Sequence, residues 1–162
     1  MDSKYYLCID LKTFYASVEC VLRGLNPFKT KLVVADPSRG DGAITLAVSP
    51  YMKELGVKNR CRIFEIPKNI KYITARPRMS LYIEKSKEII NIYLDYVSIE
   101  DLHIYSIDEC FLDVTNYMKL YKKTTYELAK DILNTILKKT GLYATAGIGP
   151  NMLLAKVAMD IE

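Results

Sequence analysis

The sequence predicts an α+β fold, with elements running strand–helix–strand–strand–helix–strand and a small α/β lobe inserted after the first helix. Three observations predict it. Short β-favouring apolar runs stand near both ends and in the middle of the chain, at Tyr5–Ile9, His103–Val114 and Tyr143–Ile148. Two long stretches of helical periodicity, opened by Ser80 and by Thr124, separate these runs. Between residues 31 and 76 the pattern changes to brief apolar runs broken by Gly- and Pro-containing loops.

Composition bounds the rest. A chain of 162 residues can bury one solid core, or a core and a small lobe, and 50% apolar with 26% charged residues excludes a disordered chain. The net charge of +4 is compatible with a polyanionic partner without identifying one. Cys8, Cys20, Cys61 and Cys110 form no C-x-x-C pair and sit in apolar contexts, which predicts buried, reduced thiols of a cytosolic protein rather than zinc or disulfides. Met1-Asp2-Ser3-Lys4 leads straight into a strand and no apolar run is long enough to span a membrane, so the expected location is cytoplasmic.

Taken in order, Tyr5-Tyr6-Leu7-Cys8-Ile9 is a strand ending in Asp10. Thr13 is an expected N-cap for a helix carrying Phe14, Tyr15, Val18, Val21, Leu22 and Leu25, ended by Gly24 and Asn26-Pro27. The opening N–H groups of such a helix suit phosphate oxygens. Lys31–Ala35 and Ala43–Val48 are predicted strands of a hairpin, joined by the loop Asp36–Gly42. Ser49 caps a short helix with Pro50 at its first position and Gly56 at its end. The segment 58–76 is basic and less regular, with Lys58, Arg60, Arg62, Lys68, Lys71 and Arg76; such charges usually form a solvated face, and beside a phosphate site they suit nucleic acid. In the helix opened by Ser80, Ile83, Ile90, Leu94 and Val97 make one face, flanked by Tyr82, Ile89, Tyr93 and Tyr96. Thr124 and Glu127 form a capping box for a helix to Lys139 with the stripe Leu128, Ile132 and Ile136, stopped by Gly141. A small-residue strand, Tyr143–Ile148, precedes a last helix, Met152 to Glu162, that carries Lys156 and lacks an end signal, which suggests a fragment. This order is that of a ferredoxin-like βαββαβ sheet with an excursion after its first helix, and it sets the first strand beside the 103–114 hairpin.

That adjacency matters because of Asp108-Glu109, which falls at the bend of the hairpin. An isolated Asp-Glu pair is ordinarily a polar turn. With Asp10 brought alongside, three carboxylates converge, an arrangement that is unfavourable unless a cation or proton sits among them. Hard oxygen donors of this kind suit Mg²⁺, and two such ions ~3.5–4 Å apart support phosphoryl transfer.

The motifs Ile9-Asp10-Leu11-Lys12-Thr13-Phe14-Tyr15-Ala16-Ser17-Val18-Glu19, Tyr105-Ser106-Ile107-Asp108-Glu109 and Thr145-Ala146-Gly147-Ile148-Gly149-Pro150-Asn151 with Leu154-Ala155-Lys156 resemble the Y-family translesion DNA polymerases, within them the UmuC/ImpB/MucB/SamB branch. The resemblance covers the whole chain in order. It implies a palm at 1–13 and 80–162 and fingers at 14–79, with the thumb and little-finger domains absent. It implies two Mg²⁺ ions held by Asp10, Asp108, Glu109 and the Leu11 carbonyl, and catalytic roles for the three acids. Thr13 and Phe14 amides would hold a triphosphate, Tyr15 matches the steric gate that rejects a ribose, and Lys156 matches a palm lysine on the triphosphate. The family's Tyr-x-x-Arg is replaced here by Pro50 and Lys53, so Lys53 supplies only a point charge and Tyr51 stands one place along. Ala43, Ala47 and Val48 are expected to leave a roomy pocket for damaged templates.

Implied partners are damaged primer–template DNA and a dNTP, with a sliding clamp or other repair proteins reached through absent regions, and no membrane. The implied activity is that of an error-prone DNA polymerase in damage tolerance, and the fragment alone is expected to be nearly inactive. A truncated module without catalysis is one alternative. A palm-type nucleotide cyclase is another, but it would want Gly-Gly where Ser106-Ile107 stands.

Overall fold

The computed structural model describes residues 3–161. Its elements in chain order are β1 (Tyr6–Leu11), α1 (Phe14–Leu22), β2 (Leu32–Val34), β3 (Ala47–Val48), α2 (Pro50–Glu54), β4 (Ile73–Ala75), α3 (Met79–Leu94), β5 (Leu102–Ile104), β6 (Glu109–Asp113), α4 (Tyr117–Tyr121), α5 (Thr125–Thr140), β7 (Ala144–Gly149) and α6 (Met152–Ile161). Tight 3₁₀ turns cover Pro37–Gly42, Ile63–Glu65 and Ile99–Asp101. Positions 1, 2 and 162 of the expected first strand approach and last helix lie outside the described residues. The chain separates into two compact units, Met1–Lys12 with Ile83–Glu162, and Thr13–Tyr82.

The larger unit is built on a four-stranded, wholly antiparallel sheet in the order β5-β6-β1-β7. Alternation along β1 divides its side chains between two faces. Leu7, Ile9 and Leu11, with Cys110 and Leu112 from β6, are buried on one face. Tyr6, Cys8 and Asp10 share the other with Glu109 and Phe111, and there Cys8 and Phe111 pack with Ala155 and Met159 of α6. Gly147 and Gly149 of β7 pair with Cys8 and Tyr6 and lie on that same face. A Cβ on Gly147 would run into the Ala155 carbonyl and come within 2.7 Å of the Met159 Cβ; one on Gly149 would sit 2.7 Å from the Leu154 carbonyl carbon. Glycine is therefore what lets α6 lie backbone-to-backbone on β7. The α5 stripe of Leu128, Ile132 and Ile136 is buried as its spacing predicts, and Thr124, Glu127 and Gly141 cap the helix as expected.

The smaller unit carries a three-stranded mixed sheet, β3-β2-β4, with β2 antiparallel to β3 and parallel to β4. Its core is Val33, Val48, Met52, Val57, Cys61 and Ile66. Ser49 caps α2 by accepting the Met52 N–H, as expected. Glu19 of α1 is fully buried yet ionic: the Tyr82 hydroxyl donates to it at 2.6 Å, Arg23 at 2.5 Å and Arg78 Nε at 3.1 Å. Burial alone would push this carboxyl up, but the donors from Arg78, Tyr82 and Arg23 outweigh it and hold it below the usual range.

Several expectations are corrected. The hairpin 31–48 keeps only a two-residue second strand, because Thr45 N–H and hydroxyl both donate to the Cys61 carbonyl and Ile63 N–H takes the Ala43 carbonyl. Segment 58–76, expected to be basic and less regular, contributes the short strand β4. The buried face of α3 is turned from the predicted one: Tyr82, Ser86, Ile89, Ile92 and Tyr93 are buried, while Ile83 is 45% exposed. Val48 is buried in the lobe core and Ala47 is also covered, so neither lines an open pocket. The groove of about 720 Å³ found here is lined by Ala43, Ile44 and Leu46 with Asp36, Arg39 and Arg62. The four cysteines are buried and free. No helix among the described residues is long and apolar enough to cross a membrane.

Candidate active site

In the larger unit, the antiparallel register sets Asp10 directly opposite Glu109. Asp108 precedes Glu109 in the bend between β5 and β6, and its carbonyl accepts the Leu11 N–H at 2.9 Å. Two further bonds pin the bend: the Ser86 hydroxyl donates to the Ile107 carbonyl at 2.7 Å, and the Tyr105 N–H donates to the Glu109 carbonyl at 3.0 Å. Backbone pairing thus brings the two distant motifs side by side.

Their side chains do not yet converge. The Ser106 hydroxyl donates to Asp108 Oδ1 at 2.8 Å, and Lys156 Nζ donates to Glu109 Oε1 at 2.9 Å. The Cys8 thiol donates to the same Glu109 oxygen at 3.5 Å. Among the described residues no three His, Cys, Asp or Glu side chains are gathered tightly enough to enclose a metal ion as they stand. The adjacency is in the backbone, and Asp108 and Glu109 are each taken up by a donor of their own, Ser106 and Lys156.

Asp10 bears the electrostatic consequence. Burial first, then the charges of Asp108, Glu109 and Asp160, push its carboxyl from 3.8 up to about 7, against the pull of Lys156. The donor chemistry fits a hard divalent cation: the three acids offer only oxygen, and the neighbouring Cys8 thiol is pushed up to about 12 by burial and by Glu109, which keeps it from serving as a soft thiolate ligand. Lys156 also lies 4.5 Å from the centre of the Tyr105 ring, a cation–π contact. The roles of Tyr105, Cys8 and Asp160 escaped sequence reasoning. The one available signal was the i, i+4 spacing of Lys156 and Asp160, which sets both on one face of α6.

In the smaller unit, Thr13 does not cap α1 with its side chain. It adopts a left-handed conformation, φ 44 and ψ 53, and its hydroxyl pairs with the Ser17 hydroxyl at 3.0 Å. A β-branched residue at positive φ is strained, and such strain collects at functional sites. The turn starts α1 at Phe14, whose first-turn amides have no intrahelical acceptor. The Tyr15 ring packs against Tyr82 with centroids 4.7 Å apart, and Glu19 in turn fixes the Tyr82 hydroxyl. Lys53 is exposed on the last turn of α2.

A family model described as IMS, the impB/mucB/samB family, matches residues 9–160. The putative UV-damage repair protein UvrX of Bacillus subtilis (strain 168) is 41% identical over 160 residues, covering 98% of this chain and 37% of that protein. DNA polymerase IV 2 of the same organism is 38% identical over 164 residues, covering 99% and 38%. Among solved structures, the post-insertion binary complex of Dbh DNA polymerase matches with a TM-score of 0.83 at 30% identity, over 98% of this chain and 46% of that one. The chain therefore spans less than half the length of these relatives.

Proposed function

We propose, from the premise that this chain belongs to the impB/mucB/samB family, that it is the catalytic palm-and-fingers part of an error-prone Y-family DNA polymerase acting in damage tolerance. The observation that carries the reading is the register that sets Asp10 opposite Glu109 with Asp108 next to it. The sheet order β5-β6-β1-β7 with α3 and α5 as its crossovers supports a ferredoxin-like palm. On this reading the palm is 1–13 with 80–162 and the fingers are 14–79.

The reaction is template-directed transfer of a deoxynucleotide to a primer end, the 3′-oxygen attacking the α-phosphate of a dNTP in line as the bond to the β-phosphate breaks and pyrophosphate leaves. Asp10, Asp108 and Glu109, with the Leu11 carbonyl, would hold two Mg²⁺ ions, which when bound would supply charge stabilisation at the transferring phosphoryl group. Thr13 and Phe14 amides bind triphosphate oxygens. Lys156 and Lys53 neutralise phosphate charge, Lys156 by leaving Glu109. Tyr15, buttressed by Tyr82, excludes a ribose 2′-hydroxyl. The partners are damaged primer–template DNA and a dNTP, in the cytoplasm. Assayed by itself, this chain, which spans under two fifths of UvrX and of DNA polymerase IV 2, extends primers poorly.

Thermal melting tests this. Mg²⁺ with dNTP is expected to raise the melting temperature of the wild type, and Asp108→Ala, folded by circular dichroism, is expected to lose that rise. A rise that survives Asp108→Ala overturns the assignment.

A further inference from the structure

The smaller unit has a second basic feature, at the end of α1 away from Thr13 and Phe14. A helix of nine residues is ~13 Å long, and past its C-terminus lies a groove of about 610 Å³ lined by Lys29, Lys31, Lys71, Tyr51, Tyr72 and Ile73 among others. None of the residues lining it is acidic. Among the described residues, none of the three lysines makes an ion pair. Lys31 instead holds its ammonium 5.8 Å from the centre of the Tyr51 ring.

The groove is assembled from three distant segments fixed by hydrogen bonds to backbone carbonyls. The Ser49 hydroxyl donates to the Thr30 carbonyl at 2.5 Å, and the Ile73 N–H donates to the Lys31 carbonyl at 2.9 Å. The Tyr51 N–H reaches the Pro27 carbonyl at 3.4 Å, and parallel pairing of β2 with β4 sets Leu32 beside Ile73. Three cations line one acid-free groove, and none of them is taken up by an ion pair among the described residues. Such a groove is electrostatically complementary to a polyanion. Half-buried Tyr51 adds a ring, which an acidic peptide does not need and a nucleobase does, while Tyr72 packs against the core of the unit.

We propose that this groove binds single-stranded nucleic acid, the lysines taking successive phosphates and Tyr51 stacking a base. The site makes no use of Asp10, Asp108 or Glu109, and rests on the polymerase reading only in preferring nucleic acid over other polyanions.

The test is fluorescence anisotropy of a labelled twelve-residue oligothymidylate with the full chain, without Mg²⁺. Lys29→Gln/Lys31→Gln/Lys71→Gln is expected to weaken binding at least tenfold at low salt and to reduce the salt slope by about 2, at ~0.7 for each phosphate no longer neutralised. Tyr51→Leu, which keeps the apolar bulk, is expected to weaken it about tenfold while leaving the salt slope unchanged, as loss of stacking at ~1–3 kcal/mol per base requires. Unchanged affinity in the triple variant overturns the proposal, and so does loss of affinity equal to that from removing any three other exposed lysines. A polyglutamate peptide that competes as well as unlabelled oligothymidylate reassigns the groove to acidic peptides. Failure of the Mg²⁺–dNTP melting test, with this binding intact, would overturn the polymerase reading and leave the groove standing.

Discussion

Replacing Asp10 with asparagine should make this protein more stable, and only above mildly acidic pH. In the wild type the Asp10 carboxyl is pushed from 3.8 to about 7 by burial and by its acidic neighbours. A folded-state value above the unfolded one means that the neutral form is favoured on folding. Stability is then fully present below about pH 4 and drains away as pH rises to about 7. The gap corresponds to a ceiling of ~4 kcal/mol, at ~1.4 kcal/mol per tenfold. Asp10→Asn keeps the shape and removes the titration, so the difference between variant and wild type should be near zero at pH 4 and grow to a few kcal/mol by pH 8. Mg²⁺ at a hundredfold above its dissociation constant should return ~2.7 kcal/mol to the wild type and nothing to the variant. Urea unfolding at pH 4, 6 and 8, with and without Mg²⁺, measures both effects. A variant whose stability tracks the wild type at all three pH values would show that Asp10 feels neither its burial nor Asp108 and Glu109.

Three further expectations rest on the packing. Gly147→Ala should destabilise the fold by more than ~3 kcal/mol in chemical unfolding, beyond the usual overpacking range, because the obstacle is the backbone of α6 rather than a movable side chain. Glu19→Gln should lower stability by ~1–3 kcal/mol at pH 7, since it removes the charge-assisted bonds from Arg23 and Arg78, whose guanidinium groups are partly exposed and stay solvated. The loss should shrink on acidification, because a carboxyl held below its usual range contributes stability above the unfolded value that disappears as pH falls. Tyr15→Ala, assayed in a longer polymerase that contains this chain, should raise ribonucleotide incorporation far more than it lowers dNTP use, whereas an equal loss of both would assign Tyr15 to packing on Tyr82.

What could be read from the sequence was what depends on neighbours a few residues apart. Ser49-Pro50, the Thr124–Glu127 capping box and Gly141 announce helix ends because their hydrogen bonds close locally. The acidic residues stood out because carboxylates inside β-favouring apolar runs need a reason. What failed depended on remote partners. Thr13 carries a cap residue's chemistry, but the chain turns through positive φ there and points its hydroxyl at Ser17. The β3 segment lost most of its predicted length to Cys61 and Ile63. The α3 face was misjudged because Tyr82 is drawn inward by Glu19, 63 positions earlier. Lys71 was counted within a basic run, but Lys29 and Lys31 join it only through the parallel β2–β4 pairing.

The place of β1 in its sheet has a consequence for what mutation can do there. Tyr6–Leu11 is zipped to β6 on one side and to β7 on the other, so its alignment is held by two independent ladders. A single inserted or deleted residue in this six-residue strand would break both alignments or reverse which side chains face inward. Asp10 would then trade places with Ile9 or Leu11, stranding a carboxylate in the hydrophobic layer and an aliphatic chain among the acids. Point substitutions at this position can be graded, but a length change would remove the chemistry and the fold in one step.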